Sequence, residues 1–301
     1  CEGISLMKKC YVNTESQKQL VLKNAKKHFS DSFVKELDNK IEPYHLPVTD
    51  SHVSAKVRKP FVDGLGKQTI VFNHRTKTYK DFKNFILKIC DPLYEKRQDF
   101  KVWIPLLDLA QMKEIGDMSW QDRLVKNGGY IDDTKFDEKE SYHNYLSQCK
   151  VGYSPPQKYN GWSVATTDGM MTGCPFIMFD ADYYHELNPT ADYFTGYDYA
   201  IKLLEKYLDD DKYRDEKAKE SLDYVREKLT WSTAIERLSK DIDAVVESTP
   251  SANPDGEGMG KILKDLKEVG SMTKRELISQ RWGSGIKFTP YRRALMEHPN
   301  V

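Results

Sequence analysis

The stretch YNGWSVATTDGMMTGCP (159–175) combines small polar residues, one carboxylate and a closing Gly-Cys-Pro. A predicted strand and the loop PPQKYNG precede Ser163, and we expect a helix to begin at about Ser163–Thr166. The unpaired amide groups at the start of such a helix, together with its dipole, bind anions at the strand end. Gly161 permits close approach of a ligand to the backbone, and Gly173 is expected to end the helix.

Asp168 is the acidic residue of this stretch. Near the start of the helix, its carboxylate would accept hydrogen bonds from the two hydroxyl groups of a ribose. A structural role fits the same spacing. The helix would then be a crossover between two strands, with Asp168 on the surface near its positive end and Met170 and Met171 in the core. The spacing leaves both interpretations open.

Strands and helices alternate around this stretch. Four apolar segments predict buried strands, and they are TIVFN (69–73), KVWIPLL (101–107), KVGYS (150–154) and FIMF (176–179). One predicted helix runs from about Glu138 to Gln148, and another follows the first strand with one apolar face made of Tyr79, Phe82, Ile86 and Ile89. The alternation predicts an α/β fold with a Rossmann-like parallel sheet, in which ligands lie at the carboxyl ends of the strands.

The regions on either side of this sheet are more helical. A short strand near Cys10–Asn13 precedes a helix whose capping box is Thr14 and Gln17. Towards the other end, apolar spacing predicts a single long amphipathic helix with the residues Leu222, Val225, Leu229, Ile235, Leu238, Ile242 and Val245. The segment 248–260 has the composition of a linker, and 261–301 is expected to form a small helical C-terminal domain.

The composition is that of an ordinary globular protein. The chain has 301 residues, and its 46 Lys and Arg are balanced by 46 Asp and Glu. No apolar run approaches the roughly 18 residues that a membrane span requires. The five cysteines are scattered without a CxxC pair, which favours reduced thiols and a cytoplasmic location over a disulfide framework or a zinc site.

The stretch 159–175 resembles the donor-site signature of retaining GT-B glycosyltransferases of the glycogen-synthase-like and sucrose-synthase-like group. In that family a Glu-Gly-Phe-Gly loop precedes a helix that carries a second Glu eight residues after the first. Aligned on the closing Gly-Cys-Pro, this chain has the loop residues Asn160, Gly161, Trp162 and Ser163 and the helix residue Asp168. The resemblance implies that these residues bind the donor, with Asp168 on the ribose and Asn160 on the transferred sugar. Asn160 stands where the family has Glu, and Ser163 where it has Gly.

Two further segments resemble the same family. VFNHRTKTYKDF (71–82) is similar to its Gly-Arg-Leu-x-x-x-Lys-Gly segment, which implies that Arg75 and Lys80 hold the donor pyrophosphate and serve catalysis. Charge-assisted hydrogen bonds of about 1.5–3 kcal/mol each would stabilise the leaving group. A solvated basic turn is the alternative. NGGYI (127–131) resembles the base-contacting loop, which implies that Gly129, Tyr130 and Ile131 bind the donor.

The resemblance continues in chain order over about residues 10–247. YVNTESQK resembles the last strand and helix of the acceptor domain, EPYHLPV the crossover to the donor domain, and LTWSTAIERL the helix that returns. We therefore expect 1–50 to be the end of an acceptor domain and 51–247 to be the nucleotide-sugar-binding domain. The sequence is expected to be a fragment that lacks an N-terminal part.

The tail 261–301 has nine Lys and Arg against four Asp and Glu, a net charge of +5. Its three predicted short helices resemble a helix-turn-helix or half of a winged helix, which would place Arg292 and Arg293 in the first turn of a recognition helix. A basic appendage that docks on the main domain is the alternative. A glycosyltransferase with a DNA-reading tail resembles bacteriophage enzymes that glycosylate hydroxymethylated DNA bases.

The sequence thus predicts transfer of a sugar from a nucleoside diphosphate sugar to an acceptor hydroxyl with retention. The resemblance implies no cofactor beyond this substrate and no metal ion, although Asp180-Ala181-Asp182 looks like the metal site of another glycosyltransferase fold. The alternatives are a non-catalytic nucleotide-sugar or nucleic-acid binding protein, and a regulator that acts through its tail. For a bacteriophage protein, the expected cytoplasm is that of the host cell.

Overall fold

The computed structural model describes residues 9–76, 81–107, 120–157 and 161–248. The described residues up to Thr230 form one compact unit, and Trp231 begins a second, of which one helix is described. The predicted domain boundaries at residues 50, 247 and 260 stay predictions. Within the described part of the chain, no helix is both long and apolar enough to cross a membrane.

The described chain opens with a small structure of two strands and two helices. Strand β1 (Cys10–Val12) pairs in parallel with β2 (Ile41–Pro43), and helices α1 (Glu15–Ala25) and α2 (Asp31–Lys40) connect them. Thr14 caps α1, because its hydroxyl accepts a hydrogen bond from the amide of Gln17 at 3.1 Å. The predicted first strand and its helix cap are therefore confirmed.

A parallel sheet of six strands follows. The strands are β3 (Gln68–Val71), β4 (Phe100–Trp103), β5 (Ile131–Asp132), β6 (Val151–Ser154), β7 (Phe176–Phe179) and β8 (Asp192–Phe194). Their spatial order is β5-β4-β3-β6-β7-β8, and every neighbouring pair is parallel. This is the strand order of a Rossmann fold, whose topological switch point lies between β3 and β6. The predicted α/β fold is confirmed.

Helices cover both faces of this sheet. Helix α3 is built from Phe82–Asn84, a π-helical segment Phe85–Cys90 and Asp91–Lys96. The others are α4 (Lys139–Leu146), α5 (Val164–Thr172), α6 (Asp182–Leu187), α7 (Tyr197–Asp209) and α8 (Asp211–Lys228). Helix α9 (Trp231–Ser248) belongs to the second unit. Side chains alternate along a strand, so Ile70 packs with α3 and α7, whereas Val71 packs with α4, α5 and α8.

The prediction of one long helix across residues 222–245 is wrong. Helix α8 ends at Lys228, and α9 begins at Trp231. Leu229 leaves the helical conformation with φ of −118° and ψ of 12°. Its carbonyl accepts a hydrogen bond from the amide of Val48 at 2.7 Å, and Thr230 forms a parallel bridge with Val48. Backbone pairing therefore interrupts an apolar spacing that would otherwise suit a continuous helix.

The four strands predicted from apolar segments are all present, but the sequence did not reveal the two edge strands. Strand β5 has two residues and β8 has three. Each pairs with only one neighbour in the sheet. Such short edge segments carry no apolar run of their own, because the partner strand supplies most of their order.

Helix α5 lies unusually close to the sheet. The ring of Phe176 from β7 occupies the space next to Gly152 in β6 and Gly169 in α5. A Cβ atom would lie 2.3 Å from this ring at residue 152 and 1.9 Å from it at residue 169. Both glycines are therefore required by close packing, and this packing fixes the depth at which α5 sits on the sheet.

We predict that Gly169→Ala destabilises the fold by about 1–3 kcal/mol, because the added methyl group overpacks the Phe176 contact. This range already allows for the stabilisation of about 1 kcal/mol that alanine gives relative to glycine inside a helix. Urea unfolding of the full chain measures the effect. Gly64→Ala is the control, since a Cβ atom there meets nothing within 4 Å. Equal stability of the two variants would contradict the packing argument.

Candidate functional site

The candidate site lies at the switch point of the sheet, where β3 and β6 end side by side. The chain leaves β3 through Phe72, Asn73, His74 and Arg75, and it leaves β6 through a proline-rich loop that leads to α5. In an open parallel sheet, connections that depart in opposite directions leave a crevice at this point. Both sides of that crevice include polar residues, such as Asn73 and Arg75 after β3 and Ser154 and Gln157 at the end of β6 and in its loop.

The amino terminus of α5 is organised by a chain of three hydroxyl groups. Ser163 is the N-cap, and its Oγ accepts a hydrogen bond from the amide of Thr166 at 3.3 Å. The Oγ1 of Thr166 lies 2.7 Å from Ser163 Oγ and 2.7 Å from Ser154 Oγ at the end of β6. All three side chains are buried. The predicted start of this helix is confirmed, and the chain ties it to the strand end.

The other end of α5 also follows the prediction. Gly173 is its C-cap in the left-handed region, with φ of 82°. The guanidinium of Arg214, which is completely buried, donates to the carbonyl oxygen of Gly173 at 3.4 Å and of Cys149 at 2.9 Å. Met170 and Met171 lie in the core, as the structural interpretation of this helix expected.

The loop after β6 is braced by two tyrosines of α6. The hydroxyl of Tyr184 donates to the carbonyl oxygen of Pro155 at 2.8 Å, and the amide of Gln157 donates to the hydroxyl of Tyr183 at 2.9 Å. Asn160 lies outside the described residues, whereas Gly161 follows the gap. Trp162 stacks on His45 with ring centroids 4.9 Å apart. The indole therefore joins the donor-site stretch to the segment after β2.

Of the two predicted catalytic cations, the structure describes Arg75, and Lys80 lies outside the described residues. Arg75 is exposed at the carboxyl end of β3, on the same edge as the start of α5. The adjacent His74 is buried, and burial lowers its pKa to about 3. With His74 neutral, Arg75 is the charged residue of these two neighbours.

Asp168 lies on α5 next to a cavity of about 140 Å³, which is also lined by Leu46, His52, Lys139 and Trp162. Its side chain is 23% exposed, so it is more buried than the structural interpretation expected. Burial raises the pKa of this carboxyl to about 6, although Lys139 acts in the opposite direction. The residue therefore holds a poorly solvated charge at neutral pH, which a surface carboxylate would not.

His143 of α4 is the nearest described side chain that could form an ion pair with this carboxylate. Its Nε2 lies 3.9 Å from Asp168 Oδ1, which is too far for a hydrogen bond. Burial lowers the pKa of His143 to about 4, and Lys139 and His52 add to this effect. At pH 7 the pair is a neutral imidazole and a carboxylate, so it is not an ion pair. The sequence analysis missed His143, because its spacing to Asp168 carries no motif.

Gly129 and Tyr130 precede β5, and Ile131 is its first residue. Ile131 pairs with Val102, the third of the four residues of β4. Tyr130 and Ile131 are buried, and the Tyr130 hydroxyl donates to Asp91 at 2.6 Å. Their predicted contact with the donor stays a prediction. The segment that reaches the carboxyl edge is the one after β5, which leads to α4.

Two other predictions concern other segments of the sequence. Arg292 and Arg293 lie outside the described residues. Asp180 pairs with His185 at 2.7 Å, at the end of β7. Among the described residues, no group of three or more His, Cys, Asp and Glu side chains is placed to hold a metal ion.

No protein-family model matches this sequence, and a search of the curated proteins finds no match. Solved structures do share its fold. They include an α,α-trehalose 6-phosphate synthase from Burkholderia multivorans, at a TM-score of 0.60 and 14% identity over 81% of this chain. A UDP-forming trehalose-phosphate synthase from Burkholderia vietnamiensis gives 0.59 and 13% over 82%, and a sucrose-phosphate synthase from Thermosynechococcus elongatus gives 0.57 and 10% over 79%.

The chain has the fold of GT-B glycosyltransferases. It spans 61%, 63% and 58% of these three chains, in the order given above. At identities of 10% to 14% the likeness concerns the fold, so the activity has to be argued from the site.

We predict that Asp168→Asn stabilises the folded chain at pH 7 by about 1–3 kcal/mol. A carboxyl whose folded pKa is raised adds stability below its unfolded pKa of about 4 and loses it as the pH rises through about 6. The variant lacks this loss, so its advantage should grow between pH 4 and pH 7. His143 has the opposite pH dependence in this window, but it is present in both chains and largely cancels. Urea unfolding at both pH values is the measurement. An advantage that does not change with pH would contradict the buried charge.

Proposed function

We propose that this chain is the donor-binding part of a retaining glycosyltransferase that uses a nucleoside diphosphate sugar. The observation that carries the proposal is the partly buried carboxylate of Asp168, held on α5 below the switch point of a GT-B-like sheet. A charge kept in such surroundings without an ion-pair partner at bonding distance favours a ligand that donates hydrogen bonds to it. A ribose with two hydroxyl groups is such a ligand.

The phosphate groups of the donor would lie at the amino terminus of α5. The first-turn amides there have no partner within the helix, and the helix dipole favours negative charge. Arg75 is exposed on the same edge of the sheet, and we propose that Lys80 joins it. Ser163 stands where the family has glycine, and its hydroxyl is engaged as the helix cap. In this proposal the phosphate contact at residue 163 comes from the backbone.

The sugar side of the donor would meet the loop that includes Asn160, Gly161 and Trp162. Trp162 is half-buried and stacked on His45, so it supports the loop from the segment after β2. Because Tyr130 and Ile131 are buried, we propose that the base contacts the segment between β5 and α4 instead.

The reaction we propose is a front-face displacement with retention. The bond between the anomeric carbon and the diphosphate oxygen breaks, and a bond from that carbon to the acceptor oxygen forms on the same face. The acceptor proton passes to the leaving phosphate. Arg75 and Lys80 would stabilise the negative charge that develops on the diphosphate, which is where fixed cations contribute most to the rate.

We predict that the full chain binds at least one of UDP, GDP, ADP and CDP, and that Arg75→Ala and Lys80→Ala each weaken this binding about tenfold or more. Each variant removes a charge-assisted hydrogen bond to a phosphate, worth about 1.5–3 kcal/mol. Isothermal titration calorimetry measures the affinities. Lys96→Ala is the matched control, because this exposed lysine ends α3 at the opposite edge of the sheet.

The same titration tests Asp168. Asp168→Asn should weaken nucleotide binding and reduce the preference for ribose over deoxyribose, although it stabilises the fold. Loss of affinity together with a gain in stability separates a ligand contact from a structural role. If the control and all three variants bind like the parent chain, the donor site is assigned to the wrong residues.

A catalytic role differs from nucleotide-sugar binding alone. Transfer or slow hydrolysis of a radiolabelled donor by the full chain would support an enzyme. Tight binding without either reaction would favour the non-catalytic nucleotide-sugar binding protein.

For the acceptor we propose a hydroxymethylated DNA base. The support is the net charge of +5 in residues 261–301, within a chain whose total charge is zero. We predict that the full chain binds duplex DNA with an affinity that falls steeply as salt rises. The double variant with Arg292→Ala and Arg293→Ala should lower the log–log slope by about 1.8, since each phosphate contact contributes about 0.9. Fluorescence anisotropy at several salt concentrations is the measurement. An unchanged slope would remove the main argument for a DNA acceptor.

A further inference from the structure

Asn73 is a buried polar residue at the switch point to which the sequence motifs give no role. It follows β3 and is 2% exposed. Its Nδ2 donates to the carbonyl oxygen of Ala165 in α5 at 2.7 Å and to the hydroxyl of Tyr142 in α4 at 2.9 Å. A carbonyl oxygen can only accept a hydrogen bond, so this contact fixes which end of the amide is nitrogen.

The two contacts use both hydrogens of the amide and leave its oxygen. Asn73 Oδ1 is buried and has no hydrogen-bond partner among the described residues. A buried amide oxygen in this state costs about 1–3 kcal/mol. Such groups are rare in folded proteins, and at a ligand crevice they indicate a partner that binds there.

Tyr142 has the complementary property. Its hydroxyl oxygen accepts from Asn73, so its own proton points elsewhere, and the described residues supply no acceptor for it. Tyr142 is half-buried. Burial raises the pKa of its hydroxyl, and the nearby charge of Asp168 raises this pKa further, so the hydroxyl keeps its proton. An O–H donor and a carbonyl-type acceptor therefore lie side by side.

We propose that Asn73 and Tyr142 form a hydroxyl-recognition pair that selects a sugar hydroxyl of the donor. This inference rests on the proposed function, and it adds two specificity-determining residues to that site. A hydroxyl group is the simplest ligand that donates to Asn73 Oδ1 and accepts from Tyr142 at the same time. A phosphate oxygen only accepts, so it would face Asn73 Oδ1 unfavourably.

The position of the pair agrees with a contact to a hydroxyl group of the donor and not to its phosphates. Asn73 bonds to α5 at its second residue, and Asp168 follows one turn later on the same helix. Tyr142 precedes His143, whose Nε2 lies 3.9 Å from Asp168. The acceptor Asn73 Oδ1 and the donor hydroxyl of Tyr142 thus lie near the carboxylate proposed for the ribose. The hydroxyl belongs either to that ribose or to the transferred sugar.

The test is Tyr142→Phe in the full chain, with Tyr145→Phe as the matched control. Tyr145 is on the same helix, and its hydroxyl donates a hydrogen bond to Asp132 at 3.0 Å and interacts with Lys101. The probes are the tightest-binding of UDP, GDP, ADP and CDP, its 2′-deoxy and 3′-deoxy forms, and its glucose conjugate. We expect Tyr142→Phe to weaken binding of one of these about three- to tenfold more than the control does.

The pattern of loss identifies the hydroxyl. If it is on the ribose, the plain diphosphate binds more weakly to Tyr142→Phe, and one deoxy form shows no further loss, because the same hydrogen bond is already absent. If it is on the transferred sugar, only the glucose conjugate is affected. Either pattern supports the pair.

Two outcomes overturn the inference, and they are distinguishable. If the parent chain binds a diphosphate but Tyr142→Phe and Tyr145→Phe bind every probe alike, the pair is wrong and the proposed function stands. If the parent chain binds no probe, both fail. Circular dichroism melting establishes that each variant is folded. Asn73→Ser removes the acceptor side of the pair and should give the same pattern, so it replaces Tyr142→Phe should that variant not fold.

Discussion

Helix α5 lies against the sheet with only the ring of Phe176 between its Gly169 and the Gly152 of β6. This contact has no slack, because a methyl group on either glycine would overlap the ring. Both ends of the helix are fixed as well, by the Ser154–Thr166 hydroxyl contact and by the buried Arg214. The position of everything that α5 carries follows from this docking. That includes its amino-terminal amides, its contact with Asn73 and the carboxylate of Asp168.

A rigidly placed helix can hold a charge in a poor environment, and a loop could not. Burial raises the pKa of Asp168 to about 6, and His143 stays 3.9 Å away without a hydrogen bond. Asn73 Oδ1 is a second group with unmet hydrogen-bonding capacity at the same edge. Both cost stability in the free protein. Such costs are typical of binding sites that are organised before the ligand arrives, because the ligand supplies the missing partners.

Whether a structural feature could be predicted from the sequence depends on how far apart in the chain the interacting residues are. The α5 helix, its start near Ser163 and its Gly173 stop were predictable, since the signals that begin and end a helix are local. So were the four central strands, which carry apolar runs. The break at Leu229 was not, because the Val48 pairing that causes it is distant in sequence. The burial of Asp168 and its proximity to His143 depend on how α4 packs on α5, which a residue spacing does not encode. The burial of Tyr130 and Ile131 was likewise not predictable, because the motif NGGYI reads as a loop and its pairing with β4 is distant in sequence.

The first described segment, residues 9–45, contacts the elements around the crevice directly. The carboxylate of Glu186 in α6 accepts hydrogen bonds from the amides of Glu15 at 2.6 Å and Ser16 at 3.0 Å, so it binds the amino terminus of α1. From the same helix, Tyr184 braces the loop after β6. His45, just past β2, stacks on Trp162 in the donor-site stretch. Two separate contacts therefore join residues 9–45 to the elements that shape the crevice. The packing of residues 9–45 on the rest of this unit therefore includes α6, which braces the loop after β6, and Trp162 in the proposed donor site.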